Sequence, residues 1–332
     1  MTNRFLGRTG VRVSPLCLGT MSFGNEADAK TSAELFHRAR EGGINVFDTA
    51  DVYSGGASER ILGGLIASCR DEVVVASKAY FPTSEDCNAR GLSRYHLVRA
   101  VEASLTRLGT ECIDIYYLHR YDDAASAEET WRAVDDLVRA GKILYPAISN
   151  FSAWQGMKAT SLCAAKGWAR PVCFQPMYNL AKRQAEVEIL PMCESEGIGV
   201  MPYSPTGGGL LTGKYGADVR PDSGRLLENK MYGVRYADPR HFQLAGDFTA
   251  LATRHGFEPA ALAIAWVAAH PAVTAPIVGT RSVAHLEVAL RSLDIDLTFD
   301  SELYQEISAL SVTPPPATDR NEEASSHNYG AR

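Results

Sequence analysis

The chain has 332 residues, of which 45% are hydrophobic, and this length suits one α/β barrel or two smaller domains. Its formal net charge is -6 at pH 7, and Lys and Arg form no run long enough to follow a phosphate backbone, so we expect no nucleic acid partner. The seven cysteines are scattered and form no C-x-x-C pair, which argues against a zinc or redox motif.

The chain opens with two short runs around Arg8-Thr9-Gly10, which predict a β-hairpin that closes the bottom of a barrel. Eight short apolar runs then alternate with segments of helical period, a pattern typical of parallel βαβ units. The runs lie at residues 15–19, 44–48, 73–77, 113–119, 143–149, 171–175, 198–204 and 273–279. Eight units predict an α/β fold of the (β/α)8 or TIM barrel type, in a single domain over residues 1–311.

The helical segments carry recognisable start signals. Thr31 with Glu34, and Ser126 with Glu129, each fit a capping box, in which the first side chain and the fourth bond each other's backbone. In the segment that follows Ser93, one face is expected to pack on the barrel wall because its residues share the helical period, namely Leu97, Val98, Val101, Leu105 and Leu108.

Two segments depart from the repeat. The ends of the seventh and eighth runs, at Ser204 and Gly279, are far more widely spaced than the others, which predicts a long loop insertion after strand 7. Residues 312–332 are Pro-rich and then polar, and they are expected to form a C-terminal tail.

The sequence gives no sign of membrane insertion or export. The first residues lack the apolar core of a signal peptide, and the longest apolar stretch, residues 260–269, is too short to cross a bilayer. We therefore expect a cytoplasmic protein with no membrane partner. The oligomeric state stays open at this stage.

Polar residues stand where the predicted strands end, which is where barrel enzymes place their functional groups. Asp48 ends the second run with Tyr53 just beyond it, Lys78 follows the third, and His119 ends the fourth. Each has a plain structural explanation when taken alone. Asp48 and Lys78 could form an ion pair between neighbouring strands, and His119 could bond a loop carbonyl. Their convergence on one rim favours a catalytic role.

These four residues suit the reduction of a carbonyl group, which needs a hydride on carbon and a proton on oxygen. A tyrosine with its ordinary pKa of about 10 is a poor proton donor near neutrality. The Lys78 ammonium would stabilise the tyrosinate form of Tyr53 and lower that pKa, and Asp48 would keep Lys78 charged. His119 would orient the substrate oxygen beside Tyr53.

Six segments in order resemble the aldo-keto reductase superfamily, from Gly19 to about Leu290: INVFDTADVYSGGASERILG, VVVASK, GLSRYHLVRAVEASLTRLGTECIDIYYLHR, AISNFSAWQ, VCFQPMYNL and MPYSPTGGGLLTGKY. The chain looks closer to the bacterial aldo/keto reductases and the channel beta-subunit-like branch than to the aldose reductase branch. The resemblance implies reversible, NADPH-dependent reduction of an aldehyde or ketone to the alcohol. It makes Tyr53 the general acid, tuned by Lys78 and Asp48, with His119 orienting the carbonyl.

The resemblance also implies that Ser149, Asn150 and Gln175 hold the nicotinamide carboxamide while Tyr203 stacks on the ring. The chain has no G-x-G-x-x-G, so loops of the barrel must hold the cofactor, NADPH or NADP+. The glycines at 207–209 permit close approach to a pyrophosphate, although such a triplet alone could be a flexible hinge. Arg281 at a helix start favours NADPH over NADH. The other expected cofactor contacts are Ser204, Gly209, Leu210, Lys214, Gly279, Thr280 and His285.

The substrate, beyond being a small carbonyl compound, is not specified. An apolar, partly aromatic pocket is expected from the insertion at residues 226–240 and from Met21, Phe23, Tyr80, Phe81, Arg120 and Tyr121. One alternative is a cofactor-binding regulatory subunit of the same fold with little turnover. Another is a lyase that forms a Schiff base on Lys78, which Asp48 disfavours by keeping the lysine charged.

Overall fold

The computed structural model describes residues 2–318, in which eight parallel strands form one sheet. In chain order they are β3 (Cys17–Gly19), β4 (Val46–Asp48), β5 (Val74–Ala79), β6 (Ile113–Leu118), β7 (Ile143–Ser149), β8 (Cys173–Gln175), β9 (Gly199–Val200) and β10 (Ile277–Gly279). From β3 to β9 each strand pairs with the next, and β10 pairs with β3. Parallel bridges from Val200 to Val273 and from Tyr203 to Ile277 join the last strands, so the sheet closes. The predicted barrel is confirmed.

Two short antiparallel strands, β1 (Arg4–Phe5) and β2 (Arg12–Val13), form the predicted hairpin at the N-terminal ends of the barrel strands. The backbone N–H of Arg8 donates to the Gly197 carbonyl at 3.1 Å, just before β9. Gly7 has a φ of +55°, and a Cβ there would lie 2.7 Å from the Gly199 nitrogen, so only glycine fits. The hairpin thus covers the bottom of the barrel, as predicted.

Helices follow the strands and form the outer layer. They are α1 (Ala29–Glu41), α2 (Ala57–Ile66), α3 (Arg94–Leu108), α4 (Ala127–Arg139), α5 (Ala153–Lys166), α6 (Ile189–Glu196), α7 (Arg225–Glu228), α8 (Lys230–Arg235), α9 (Pro239–Arg254), α10 (Pro259–Ala269), α11 (Val283–Arg291) and α12 (Glu302–Ala309). The segment between β9 and β10 holds four of them, which confirms the predicted insertion. Among residues 2–318, no helix has the length and apolar character required to cross a bilayer.

Some local predictions need correction. The N-cap of helix α1 is Asp28, three residues before the predicted cap, because the Asp28 carboxylate accepts from the Thr31 N–H at 2.8 Å and leaves Thr31 inside the first turn. Ser126 does cap α4, but the Glu129 carboxylate accepts from the Arg94 N–H instead of completing a capping box. Val98 is exposed, because it lies beside the buried stripe of α3.

The predicted tail is only partly described. Residues 312–318 contain neither helix nor strand, and residues 319–332 lie outside the described part of the chain.

Helices α2 and α3 approach so closely that one glycine is required between them. A Cβ on Gly63 would lie 2.5 Å from the Leu108 carbonyl oxygen, whereas a Cβ on the neighbouring Gly64 would meet no atom within 4 Å. The contact involves backbone, which cannot move aside as a flexible side chain does. It fixes α2, the helix that begins directly after the turn carrying Tyr53.

We predict that Gly63→Ala lowers the free energy of unfolding by about 1–3 kcal/mol, the usual cost of overpacking. Gly64→Ala, the matched control, is expected to leave stability unchanged or to raise it by up to about 1 kcal/mol through helix propensity. Urea denaturation of the two variants and the parent checks this. Equal stability of the two variants would contradict the close approach seen at Gly63.

Candidate active site

A buried ion pair occupies the C-terminal ends of β4 and β5. Lys78 lies inside β5 and is fully buried, and its Nζ donates to Asp48 Oδ1 at 2.5 Å and to the Thr49 carbonyl at 2.6 Å. Gln175, at the end of β8, donates from Nε2 to Asp48 Oδ2 at 2.8 Å. Both carboxylate oxygens therefore have hydrogen-bond donors, as a buried charge requires.

Tyr53 stands beside this ion pair on a tight turn. Ser54, Gly55 and Gly56 all have positive φ, and this bend ends where α2 begins. The turn brings the Tyr53 hydroxyl to 3.4 Å from Lys78 Nζ. The phenol is thus held next to a fixed positive charge.

The protonation states differ in one respect from the expectation. Burial raises the pKa of the Tyr53 hydroxyl, and the opposing charge of Lys78 offsets this only in part, so the pKa lies above its ordinary value and not below it. Burial lowers the pKa of Lys78, but the charges and hydrogen bonds of Asp48 and Tyr53 outweigh it, so the pKa is raised. At neutral pH, Tyr53 is a phenol and Lys78 an ammonium.

His119 follows β6 and faces the same space. Its ring lies edge-on to the rings of Tyr53 and Phe81, with centroid distances of 6.2 Å and 4.9 Å. Burial, aided by the charge of Lys78, holds the pKa of His119 well below its ordinary value, so the ring is neutral. Within residues 2–318 the buried Nδ1 has no hydrogen-bond partner, so it is not bound to a loop carbonyl.

The polar residues at the ends of β7, β8 and β9 form one hydrogen-bonded chain. Ser149 Oγ donates to the Gln175 carbonyl at 2.9 Å, and Tyr203 Oη donates to Asn150 Oδ1 at 2.8 Å. Asn150 Nδ2 donates to the His119 carbonyl at 2.9 Å. Since Gln175 also bonds Asp48, this chain connects the rim to the buried ion pair.

A cavity of about 960 Å³ opens above these residues, at the upper end of the range for ligand sites. The predicted residues that line it are Met21, Asp48, Tyr53, Phe81, His119, Arg120, Ser149, Asn150, Gln175, Tyr203, Ser204, Gly209, Lys214, Gly279, Thr280, Arg281 and His285. The insertion contributes Arg225, Met231, Tyr232 and Arg235.

Five predicted residues do not line the cavity. Lys78 lies behind its wall. Phe23 and Leu210 are fully buried in the hydrophobic core, because their side chains point away from the rim. Tyr80 packs edge-on against Phe81, and Tyr121 packs in the same way on Phe151 and Trp154.

Positive charge gathers at the end of the cavity formed by β10 and the start of α11. Burial and then the charge of Arg281 lower the pKa of Lys214. Burial, followed by the charges of Arg281 and Lys214, also lowers the pKa of His285. Among residues 2–318, neither Lys214 nor Arg281 has a carboxylate within ion-pair distance. Like charges held together without counterions are typical of an anion site.

The glycine triplet beside these cations is a packed turn and not a flexible hinge. All three glycines have positive φ. A Cβ on Gly208 would lie 2.5 Å from the ring of Tyr232, so the insertion packs directly on this backbone.

A second buried polar cluster, behind Tyr53, was not predicted from the sequence. Asp51 is 3% exposed, and within residues 2–318 neither of its carboxylate oxygens has a hydrogen-bond partner. Nearby Glu59 bonds Arg107 Nε at 2.6 Å and Ser77 Oγ at 2.6 Å. Burial and then the charge of Glu59 raise the pKa of Asp51 to about 7. An aspartate in a turn normally indicates solvent exposure, so the sequence gives no signal for this burial.

Since the pKa of Asp51 is higher in the folded than in the unfolded chain, the folded state binds more protons between pH 4 and 7 and loses stability as the pH rises through that window. Asp51→Asn removes this titration. We predict that the free energy of unfolding of the variant relative to the parent increases from pH 4.5 to pH 8 by up to about 3 kcal/mol, at about 1.4 kcal/mol per unit of pKa.

Urea denaturation at several pH values measures this difference. Asp123→Asn, at an exposed position, serves as the control. The difference between its free energy of unfolding and that of the parent should be the same at every pH measured. A pH-independent difference for Asp51→Asn would refute the raised pKa.

Comparison with known proteins identifies the family of the chain. The family model described as the Aldo/keto reductase family matches residues 15–312. An uncharacterized oxidoreductase of Bacillus subtilis is 36% identical over 95% of this chain and 97% of its own length. A probable voltage-gated potassium channel subunit beta of rice is 34% identical over 96% and 99%. Norsolorinic acid reductase of Emericella nidulans is 35% identical over 89% and 78%.

The match covers the whole barrel, including the strands that carry Asp48, Lys78 and His119. Together with the relatives named as oxidoreductases, it supports oxidoreductase activity. The chain belongs to the aldo/keto reductase family.

Proposed function

We propose that the chain catalyses the reversible, NADPH-dependent reduction of an aldehyde or ketone to the alcohol, with Tyr53 as the proton donor. One observation supports this most directly. The Tyr53 hydroxyl lines the cavity beside neutral His119 and lies 3.4 Å from the Lys78 ammonium. A protonated phenol next to an ammonium group can release a proton and have its anion stabilised.

The cavity suits NADPH at both of its ends. The unpaired cations Lys214 and Arg281 match a phosphate on the ribose, and the N-terminus of α11 adds its favourable dipole. Thr280 offers a buried hydroxyl that has no partner within residues 2–318. At the other end, Asn150 and Gln175 provide amide groups for the carboxamide, and Tyr203 provides an aromatic face.

When bound, NADPH would supply the hydride to the carbonyl carbon. Tyr53 gives its proton to the carbonyl oxygen as negative charge develops there. The ammonium of Lys78 stabilises the resulting tyrosinate, and Asp48 holds that ammonium in position. His119, whose ring lines the cavity, orients the oxygen toward Tyr53. In the reverse direction Tyr53 accepts the proton.

Replacement of the proton donor tests the mechanism. We predict that Tyr53→Phe lowers kcat for aldehyde reduction by about 10²–10⁴-fold, the usual contribution of general acid catalysis, while the Kd for NADPH changes little. NADPH oxidation followed at 340 nm and fluorescence titration measure the two quantities. Tyr95→Phe, on the exposed face of α3, is the control. A fully active Tyr53→Phe enzyme would refute the mechanism.

Replacement of Arg281 tests the preference for NADPH over NADH. We predict that Arg281→Met raises the KM for NADPH at least tenfold and leaves the KM for NADH nearly unchanged, since only NADPH carries the additional phosphate. Arg281→Lys should recover part of the preference. Arg99→Met, which removes an exposed arginine from α3, is the control. Equal losses with the two cofactors would argue against a phosphate contact at Arg281.

The rice relative makes a regulatory function the second candidate. Binding of NADPH without turnover of any aldehyde or ketone in a broad panel would favour it. The lyase alternative is disfavoured because the raised pKa of Lys78 keeps its nitrogen protonated, and a Schiff base needs the free amine. Borohydride trapping of a substrate on Lys78 would support the lyase alternative.

A further inference from the structure

The charges that line the cavity are not balanced. Its acidic residues are all engaged in ion pairs, Asp48 with Lys78, Glu26 with Arg225 and Glu258 with Arg291. Four of its cations have no carboxylate within ion-pair distance among residues 2–318, namely Arg120, Lys214, Arg235 and Arg281. The chain as a whole has a net charge of -6. The cavity is therefore positively charged although the chain as a whole is negative, and it favours the binding of anions.

Two of these four cations lie at the phosphate end described above, and the other two lie at the catalytic end. Arg120 follows His119 directly in the chain. The Arg235 guanidinium lies 5.9 Å from the centre of the Tyr203 ring. Tyr203 bonds Asn150, which in turn bonds the His119 carbonyl. Both arginines thus flank the rim that carries the proposed catalytic residues.

Arg235 is positioned by aromatic contacts and not by hydrogen bonds. Its guanidinium lies 4.9 Å from the centre of the Tyr232 ring, and it makes no hydrogen bond to any residue in 2–318. A guanidinium held beside an aromatic ring in this way keeps its N–H groups free to donate to a ligand. A planar guanidinium with free N–H groups binds a carboxylate through two parallel hydrogen bonds.

The walls near these arginines are largely apolar. Phe81 packs edge-on against His119 and the Tyr232 ring lies beside Arg235, and Met21 and Met231 also line the cavity. The catalytic end therefore offers apolar contact for a hydrocarbon or aromatic body and two guanidinium groups for an anion.

We propose that Arg235 and Arg120 form a carboxylate subsite, so that the preferred substrates are aldehydes or ketones that carry a carboxylate on an apolar body. This proposal rests on the proposed carbonyl reduction and adds the substrate class to it. The carboxylate binds the two guanidinium groups and the carbonyl group lies at Tyr53 and His119.

Two matched aldehydes test the subsite. 4-Carboxybenzaldehyde and its methyl ester have similar shapes, but only the first is an anion at neutral pH. We expect the ratio of their kcat/KM values, acid over ester, to fall about tenfold or more in Arg235→Met and in Arg120→Met. Arg235→Lys should retain part of the preference. Since each variant is compared with the parent by a ratio, the different intrinsic reactivities of the two aldehydes cancel.

Arg99→Met is the matched control, because Arg99 also lies over a tyrosine ring but on the exposed surface of α3. Its ratio should equal that of the parent. An unchanged ratio in Arg235→Met and Arg120→Met would overturn the proposal and leave carbonyl reduction intact. Equal losses of kcat/KM with both aldehydes, together with weaker NADPH binding, would also overturn the proposal, because Arg235 would then bind the cofactor.

A binding measurement keeps the test independent of turnover. Calorimetry of the NADPH-loaded protein with 4-(hydroxymethyl)benzoate, an alcohol that cannot be reduced further, should show binding that Arg235→Met abolishes and that the methyl ester does not show. Absence of binding to the parent would overturn the subsite. Binding without any aldehyde turnover would support the subsite while refuting the proposed reductase activity.

Discussion

The structure of the site depends on the burial of one lysine. An isolated ammonium inside a barrel would cost several kcal/mol, and it would normally lose its proton instead. Here Asp48 and the Thr49 carbonyl accept its hydrogen bonds, and Gln175 satisfies the remaining oxygen of Asp48. These groups come from β4, the turn after it and β8, so the ion pair is satisfied only when the sheet has closed. The ion pair beside Tyr53 therefore depends on closure of the barrel.

Much of this arrangement could be predicted from the sequence because buried parallel strands are short apolar runs with distinct ends. The rule that functional groups lie at the C-terminal strand ends was enough to bring Asp48, Lys78 and His119 together. The direction of the Tyr53 pKa could not be predicted in the same way. A neighbouring charge is visible in a motif, but the desolvation that outweighs it depends on the packing of the whole rim.

The positions of other side chains could not be predicted from the sequence for related reasons. Phe23 and Leu210 lie in segments that border the cavity, but a loop has no fixed period from which the direction of a side chain follows. Asp28 was missed as the cap of α1 because Thr31 offers an equally good capping pattern three residues later. Asp51 sits in a turn, where burial of a carboxylate is the exception. The orientation of Arg235 depends on the rings of Tyr203, which precedes the insertion, and Tyr232, which lies within it.

The hairpin at the bottom of the barrel has a consequence for proton supply. Below Lys78 the interior is filled by apolar side chains such as Val46, Ala76 and Ile115, and Leu6 and Val13 of the hairpin region pack against them. Within residues 2–318, the polar groups of this cluster, the Tyr117 hydroxyl and the thiols of Cys17 and Cys173, are fully buried and do not reach solvent. Under the proposed mechanism, a proton that Tyr53 releases would be replaced through the mouth of the cavity, which ligands would also use. Reprotonation of Tyr53 and release of the product would then compete for the same opening of the cavity.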